Sequence, residues 1–390
     1  MINVVCGIRS TGRICTDLAT ELCNRGHEVR IAYGRESVPE EYKKYAVRIG
    51  SGIDVMVHGV KARLSDSCGF GSYNATKKFI NWIRDYNPDV IHLHNIHGYY
   101  INIELLFDYL RSCEKKIIWT LHDCWAFTGH SPYCDTKNCV RWKEGCYKCP
   151  LKKSYPVSLI DNSHNNWIRK KNTFSNISNL SIVTPSNWLA NMVKESFLSD
   201  YPLEIIRNGI DTSIFRPISS GFKDKYGLKD KFVLLGVATA WDEIKGLLDF
   251  YKLADLLGEQ YQIVLVGLTQ KQKKHFPLNI LGIERTNNVD ELVEMYSGAD
   301  LLLNLSYCEN YPTINLEAIA CGTPVLTYNT GGSPEIVEEC GGIVVKTGDV
   351  EGVYREIVQI AKEGKHLLRS IKVDNKEQFI NKYLELINNR

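Results

Sequence analysis

The chain has 390 residues, 44% of them hydrophobic and 24% charged, and its 47 Lys and Arg against 45 Asp and Glu leave a formal charge of +2. That length exceeds one ordinary hydrophobic core and predicts two domains. The near balance of charge, with no dense basic run, speaks against a nucleic-acid partner, and no apolar stretch approaches the roughly 20 residues of a spanning helix. Met1-Ile2-Asn3-Val4-Val5-Cys6 reads as a strand rather than a signal peptide, so a cytoplasmic protein is expected. The 13 cysteines fit a reducing compartment, where they act as small hydrophobes.

In chain order, short apolar strands alternate with amphipathic helices, the pattern of an α/β protein. The first half predicts strands over Asn3–Cys6, Val29–Tyr33, Val90–His94, Ile117–Leu121 and Ser181–Thr184, rich in Val and Ile as buried parallel strands are. Between the first two, Ile14, Leu18 and Leu22 repeat at helical spacing, and Asn24-Arg25-Gly26 closes that helix with a glycine suited to its C-terminal cap. The Asn208-Gly209 turn, inside Ile206 to Asp211 and continuing to Phe215-Arg216-Pro217, marks a domain boundary. Strands then resume at Phe232–Val237, Ile263–Val266, Leu301–Leu305 and Val325–Tyr328. Two doubly wound parallel sheets follow, in domains 1–206 and 207–371, with a final helix over about 372–390 that carries Phe379, Tyr383, Leu384 and Leu386. Open α/β sheets bind ligands at the carboxyl ends of their strands, so two facing sheets would share a site in the cleft between them.

The most informative segment is Cys308-Glu309-Asn310-Tyr311-Pro312-Thr313-Ile314-Asn315-Leu316-Glu317. There the strand Asp300–Ser306 ends and a helix with the apolar face Leu316, Ile319 and Ala320 begins. Such a turn offers free N–H groups and the positive end of a helix dipole to a phosphate, while flanking carboxylates grip sugar hydroxyls. Pro312 has no N–H to give and its fixed φ suits a helix start. The plainer readings are a solvated loop carboxylate at Glu309 and a dipole-favouring glutamate at Glu317. Lys245-Gly246 precedes the apolar helix residues Leu247, Leu248, Phe250 and Tyr251, where a lysine can meet a diphosphate as a point charge. His122 closes the strand Ile117–Leu121, with Asp123 beside it to orient it.

Two clusters suggest metals. His92, His94 and His97 occupy a strand and its end, where alternate positions share a face. Cys134-x4-Cys139-x6-Cys146-x2-Cys149 places four thiols within sixteen residues, which suits a structural zinc ion, free thiols or disulfides.

Taken together, Arg25-Gly26-His27-Glu28-Val29, Leu121-His122-Asp123, Thr184-Pro185-Ser186, Asn208-Gly209-Ile210-Asp211 with Phe215 and Pro217, Lys245-Gly246, the Glu309 and Glu317 pair, and Gly331-Gly332-Ser333-Pro334-Glu335 carry a resemblance. Over nearly its whole length the chain resembles retaining glycosyltransferases of family four, with the GT-B fold of two facing Rossmann-like domains. The stretch from His122 to His130 further resembles the branch of capsule, exopolysaccharide and colanic-acid biosynthesis. The resemblance implies transfer of a hexose-type sugar from a nucleotide diphosphate sugar to a hydroxyl of a growing, lipid-linked cell-surface polysaccharide, at the inner face of the cytoplasmic membrane. It places Glu317 on the ribose hydroxyls, Glu309 on the transferred sugar and Lys245 on the diphosphate. The N–H groups of Thr313 and Ile314 and the neighbouring Tyr311 belong to the donor loop, His122 sits beside the sugar, and His94 or His97 lies near the acceptor. In the chemistry it implies, the acceptor hydroxyl attacks from the face that the diphosphate leaves and a phosphate oxygen takes its proton, with no protein nucleophile. No cofactor is required for catalysis, and no Asp-x-Asp is present to hold a metal diphosphate. The final helix crosses back to the first domain in this fold.

One position departs from the pattern. The arginine that commonly precedes the lysine by six residues is Thr239 here. Arg13, in Arg9-Ser10-Thr11-Gly12-Arg13, is the candidate replacement, and Gly12 is what remains of a glycine pair that approaches the donor phosphate; the alternative is an exposed first-turn arginine. The basic groups Lys77-Lys78, Lys152-Lys153 and Arg169-Lys170-Lys171 are either lipid contacts or a solvated face. Two other classes remain: a non-catalytic nucleotide-sugar-binding protein, and a phosphorylase or synthase acting on a soluble sugar.

Overall fold

The computed structural model describes residues 1–273, 277, 279–363 and 373–388. The chain forms two compact units, Met1–Ile206 together with Ile380–Arg390, and Arg207–Phe379. The chain passes between them twice, at 206–207 and at 379–380. The 371/372 boundary expected from the sequence lies outside the described residues.

The first unit holds a seven-stranded, fully parallel sheet of β1 (Ile2–Asn3), β2 (Ile31–Tyr33), β3 (Ala46–Arg48), β4 (Val90–Leu93), β5 (Lys116–Thr120), β6 (Leu180–Thr184) and β7 (Leu203–Ile205) in the order β3-β2-β1-β4-β5-β6-β7. Crossovers run through α1 (Arg9–Asn24), α2 (Gly52–Ser65), α3 (Tyr73–Tyr86), α4 (Ile103–Ser112), α5 (Ser163–Phe174) and α6 (Asn187–Lys194). Ile117, Ile118 and Trp119 of β5 are all buried, because a central parallel strand is covered on both faces. Trp119 packs with Phe107 and Phe174, with ring centroids 4.5 to 5.3 Å apart. Gly26, at φ +89°, ends α1 and lets the His27 N–H return to the Leu22 carbonyl at 3.0 Å.

The second unit is a six-stranded parallel sheet of β8 (Phe232–Val237), β9 (Tyr261–Val266), β10 (Ile280–Ile283), β11 (Leu301–Asn304), β12 (Val325–Tyr328) and β13 (Ile343–Val345), ordered β10-β9-β8-β11-β12-β13. Its helices are α7 (Phe222–Lys225), α8 (Leu247–Leu256), α9 (Gln270–Lys273), α10 (Val289–Gly298), α11 (Thr313–Ala320), α12 (Ser333–Cys340) and α13 (Val350–Glu363). Alternate residues of one strand serve two cores: Val233 and Leu235 pack on one face with Leu302, Leu234 on the other with Leu301 and Leu303. The last helix, α14 (Lys376–Asn388), gives its later residues to the first unit, where Arg25 donates to Asn381 at 2.7 Å.

Two expectations need correction. β1 stops at Asn3, whose side-chain Nδ2 donates to the Val5 carbonyl at 2.8 Å and turns the chain out of the sheet. α1 already begins at Arg9, so Gly12 and Arg13 belong to a helix and not to a loop. In both sheets the strand order reverses once, between β1 and β4 and between β8 and β11. These switch points are where open α/β sheets bind ligands.

Candidate functional site

In the second unit, Lys245 follows β8 and Glu309 follows β11, so the switch point brings together two residues 64 positions apart. Lys245 Nζ donates to Glu309 Oε1 at 2.6 Å, with the lysine side chain 35% and the carboxylate 13% exposed. Burial opposes the lysine's charge, but the Glu309 carboxylate outweighs it and holds the pKa above the ordinary lysine value. The loops that carry the pair are stitched together by backbone. The Tyr307 N–H donates to the Ile244 carbonyl at 2.7 Å, and the Asp242 side chain accepts the Lys245 N–H at 2.9 Å. A Cβ at Gly246 would overlap the Leu305 carbonyl, and one at Gly331 would overlap the Glu309 carbonyl; both glycines also have positive φ. Gly246 and Gly331 are therefore the means by which three loops close on one another.

Beneath these loops lies a buried polar chain. Asn304 Nδ2 donates to Asn315 Oδ1 at 3.0 Å, Asn315 Nδ2 donates to Ser333 Oγ at 2.9 Å, and Ser333 Oγ meets Thr327 Oγ1 at 2.7 Å. It joins the ends of β11 and β12 to the first turns of α11 and α12, fixing where the α11 N-terminus points. Pro312 caps α11, and the Thr313 and Ile314 amides open its first turn, half-buried and beyond reach of any intrahelical carbonyl. Glu317 is buried one turn in, and its Oε2 accepts the Tyr296 hydroxyl at 2.8 Å. Tyr311 is buried, with its carbonyl held by Asn208 Nδ2 at 3.2 Å. Thr239 is exposed.

In the first unit, β4 and β5 run in parallel register, Leu93 opposite Trp119, and the β4 histidines reach across to side chains two residues beyond their direct partners. His92 Nε2 meets Thr120 Oγ1 at 2.8 Å, and His94 Nδ1 meets His122 Nε2 at 3.0 Å. Tyr383 of α14 closes the lower end of this stack through Thr120 Oγ1 at 2.8 Å. The sequence placed Asp123 as the orienter of His122, but its Oδ2 accepts from His97 Nε2 at 2.8 Å while its Oδ1 caps the Trp125 N–H at 2.9 Å. His97 Nδ1 in turn meets the Tyr155 hydroxyl at 3.1 Å. Burial pushes His122 down to about 4, against the opposing charge of Asp123, and drives His92 and His94 well below the usual imidazole range. At neutral pH all three rings are uncharged. A hollow lined by Met1, Arg30, Trp82 and His92 opens near the amino end of β4, away from the strand ends where such sheets bind ligands.

Among the described residues neither the cysteine nor the histidine cluster is drawn together as a set of metal ligands. Cys134 is packed in the apolar core with Phe127 and Trp142, while the Cys146 sulfur accepts the Gly129 N–H at 3.3 Å. Burial pushes the thiols of Cys146 and Cys149 up, to about 12 and 11, and none of the four cysteines is in a disulfide. Among the described residues no three His, Cys, Asp or Glu side chains are grouped to hold a metal ion, the four cysteines and the three histidines included. Of the basic groups, Arg169-Lys170-Lys171 is not a free cationic face. Lys170 is buried, donating to the Trp125 and Thr128 carbonyls at 2.7 and 2.9 Å, and Arg169 makes two bonds to Glu104. Arg13 is exposed, and Gly12 packs against Val5 and the Gly7 backbone.

Comparison with known proteins adds the wider relationship. Residues 11–214 match the model of Glycosyltransferase Family 4, and residues 220–377 match that of Glycosyl transferases group 1. The chain is 26% identical over 341 residues to an Escherichia coli K12 protein named as a colanic acid biosynthesis glycosyl transferase, WcaC, covering 84% of this chain and 80% of that one. It is 28% identical over 216 residues to the N-acetyl-alpha-D-glucosaminyl L-malate synthase of Bacillus anthracis, covering 52% and 55% of the two chains. Among solved structures it is similar to sucrose-phosphate synthase from Thermosynechococcus elongatus, with TM-score 0.69 and 16% identity over 99% and 94% of the chains. It is also similar to Anabaena HepE in complex with UDP-glucose, with TM-score 0.68 and 13% identity over 99% and 98%. At these identities the structural matches speak for the fold alone.

Proposed function

The chain belongs to Glycosyltransferase Family 4 and has the GT-B fold, and on that premise we propose that it moves a hexose-type sugar, with retention, from a nucleotide diphosphate sugar to a hydroxyl of a lipid-linked, growing cell-surface polysaccharide. The observation that carries this reading is the Lys245–Glu309 pair at the β8/β11 switch point, beside the open first turn of α11. Lys245 remains charged throughout the neutral range and meets the leaving diphosphate together with the Thr313 and Ile314 amides. Glu309 faces the transferred sugar and stabilises positive charge as it develops at the anomeric carbon. Glu317, with one oxygen on Tyr296, turns the other to the ribose. His122 contacts the sugar as a neutral imidazole, and buried His94 is its positioning residue. The acceptor hydroxyl attacks from the side the diphosphate leaves, and a phosphate oxygen takes its proton. The similarity to WcaC, which spans most of both chains, favours a polysaccharide acceptor over a soluble sugar.

The test is a panel of UDP, GDP and ADP sugars, each offered with a lipid-diphosphate oligosaccharide, with released nucleoside diphosphate and product linkage measured in EDTA. One donor is expected to turn over to an α-linked product from an α-donor without added metal. Binding of a donor with no release of nucleoside diphosphate, or inversion at the anomeric carbon, would overturn the reading.

A further inference from the structure

Helix α2 is apolar on the side that faces water. Ile53, Met56, Val57, Val60 and Leu64 fall at helical spacings of three and four, and each is between 55% and 69% exposed. The opposite side of the same helix is held by the fold. Ala62 and His58 are buried there, and His58 meets the Ser72 hydroxyl at 2.9 Å and accepts the Gly69 and Gly71 N–H groups at 3.2 and 3.1 Å. An apolar helix face is ordinarily covered by protein or lipid. Helix α2 is fixed to the fold along one face and left bare along the other, and its start is secured by a Ser51–Asp54 capping box.

The charge around the stripe says what covers it. At 100° per residue, Lys61 and Arg63 sit about 80° to either side of the stripe's axis, where long cationic side chains reach a headgroup layer while their neighbours enter the acyl boundary. The stripe continues past the helix end, because the Leu159 N–H donates to the Arg63 carbonyl at 2.8 Å and places exposed Leu159 and Ile160 beside Leu64. Lys152 Nζ donates to the Leu159 carbonyl at 3.3 Å, which keeps Lys152 at that end of the patch, and exposed Lys153 follows it in the chain. The one acidic side chain of the helix, Asp54, is occupied in its cap.

We propose that the α2 face of the first unit docks on an anionic lipid bilayer, its apolar stripe in the interface and its cations on acidic headgroups. The inference rests on the lipid-linked acceptor proposed above for its purpose. A chain of contacts runs from the helix to the sugar side of that unit: the His58 ring lies 5.8 Å from Tyr99, Tyr99 lies 6.1 Å from Tyr155, and the Tyr155 hydroxyl meets His97, the partner of Asp123. The docked helix is thus linked through packed side chains to Asp123, the neighbour of His122 in the chain. Among the described residues no helix is long and apolar enough to cross a membrane.

Sedimentation of the full chain with vesicles of phosphatidylcholine, alone or with one third phosphatidylglycerol, tests this. Binding to the anionic vesicles is expected to exceed binding to the neutral ones at least tenfold and to weaken with salt. Met56→Asp with Val60→Asp should abolish it, and Lys61→Glu with Arg63→Glu should lower it at least tenfold. Both pairs should leave donor turnover on a soluble acceptor unchanged, so a failed docking model and a failed transferase model give different results. Equal binding to both vesicle types, or full binding by the Met56→Asp, Val60→Asp protein, would overturn the proposal. So would a concentration-dependent dimer that the same substitutions dissociate without any vesicle binding, since a second copy would then be the occupant.

Discussion

Gly331→Ala isolates the role of loop closure in positioning Glu309. Gly331 sits at φ +55°, and a Cβ there would overlap the Glu309 carbonyl oxygen and lie 2.7 Å from its carbon, where ordinary contact begins at 3.4 Å. No side chain can give way, because the obstacle is backbone, so the Glu309 loop has to retreat on the order of 1 Å or more, a displacement that costs reacting groups roughly 100-fold. The left-handed conformation adds about 1–2 kcal/mol for any residue with a Cβ. Gly227→Ala supplies the control. It has φ +67° and no atom within 4 Å of the added Cβ, so it carries the backbone penalty without the clash. The assay is release of nucleoside diphosphate from the preferred donor, read alongside a thermal midpoint. Gly331→Ala should lose at least about 100-fold in kcat/KM. Gly227→Ala should keep its activity and lower the midpoint by several degrees at most. If Gly331→Ala keeps kcat/KM within about threefold of the parent, the stitched-loop account of the site is wrong.

Tyr296→Phe should destabilise the chain by about 1–3 kcal/mol in a urea titration, because it strips the buried Glu317 carboxylate of a hydroxyl donor, and should raise the donor KM more than it lowers kcat. An unchanged KM with the full stability loss would show that Glu317 serves packing alone. For pH, the folded His122 has its pKa lowered to about 4 from 6.5, so the unfolded chain binds the extra proton first as pH falls. Stability contributed by this ring is whole above pH 6.5, falls between 6.5 and 4 by at most about 3 kcal/mol, and falls no further below that. His92 and His94 are lowered as well and add loss of the same sign. Denaturant midpoints measured from pH 7 to 4 should therefore slope downward, and His122→Asn should flatten the slope; equal slopes for the two proteins would refute the assignment.

Central strands were legible because burial on both faces demands a continuous apolar run, as in Phe232–Val237, which β8 matches residue for residue. The edge strands β3, β7, β10 and β13 were not, since three or four residues covered on one side carry no periodic pattern. The same limit hid the supports of the site. Tyr296, Asn304, Ser333 and Tyr383 are common residue types with no local signature, and their meaning arises from partners 11 to 263 residues away. The glycines did leave a signal: Gly246 and Gly331 stand beside functional side chains, and each is required by a carbonyl from another loop. α2 was missed because apolar residues on both of its sides cancel the asymmetry by which an amphipathic helix is read. Lys170 misled in the opposite direction, as one of three consecutive cationic residues whose middle member points inward to carbonyls.

Thr239 poses the remaining question of charge. A diphosphate arriving at Lys245 meets a cation already paired with Glu309, so the local side-chain charge is near zero and the α11 amides supply only about half a positive charge. A site with one cation fewer than its family pattern either has a second cation from elsewhere or binds its donor more weakly. The two cases separate on Thr239→Arg. Thr239 is exposed at the start of the loop that follows β8, so the substitution costs the fold little. If the site is short of a cation, the new guanidinium gains a charge-assisted contact of about 1.5–3 kcal/mol, and the donor KM falls roughly ten- to hundredfold. If Arg13 already fills the role, Thr239→Arg changes KM little in the parent but restores it in Arg13→Ala, and the two substitutions are strongly non-additive. Additive effects, with Arg13→Ala silent alone, would remove Arg13 from the donor site and leave Lys245 as the cation that meets the diphosphate.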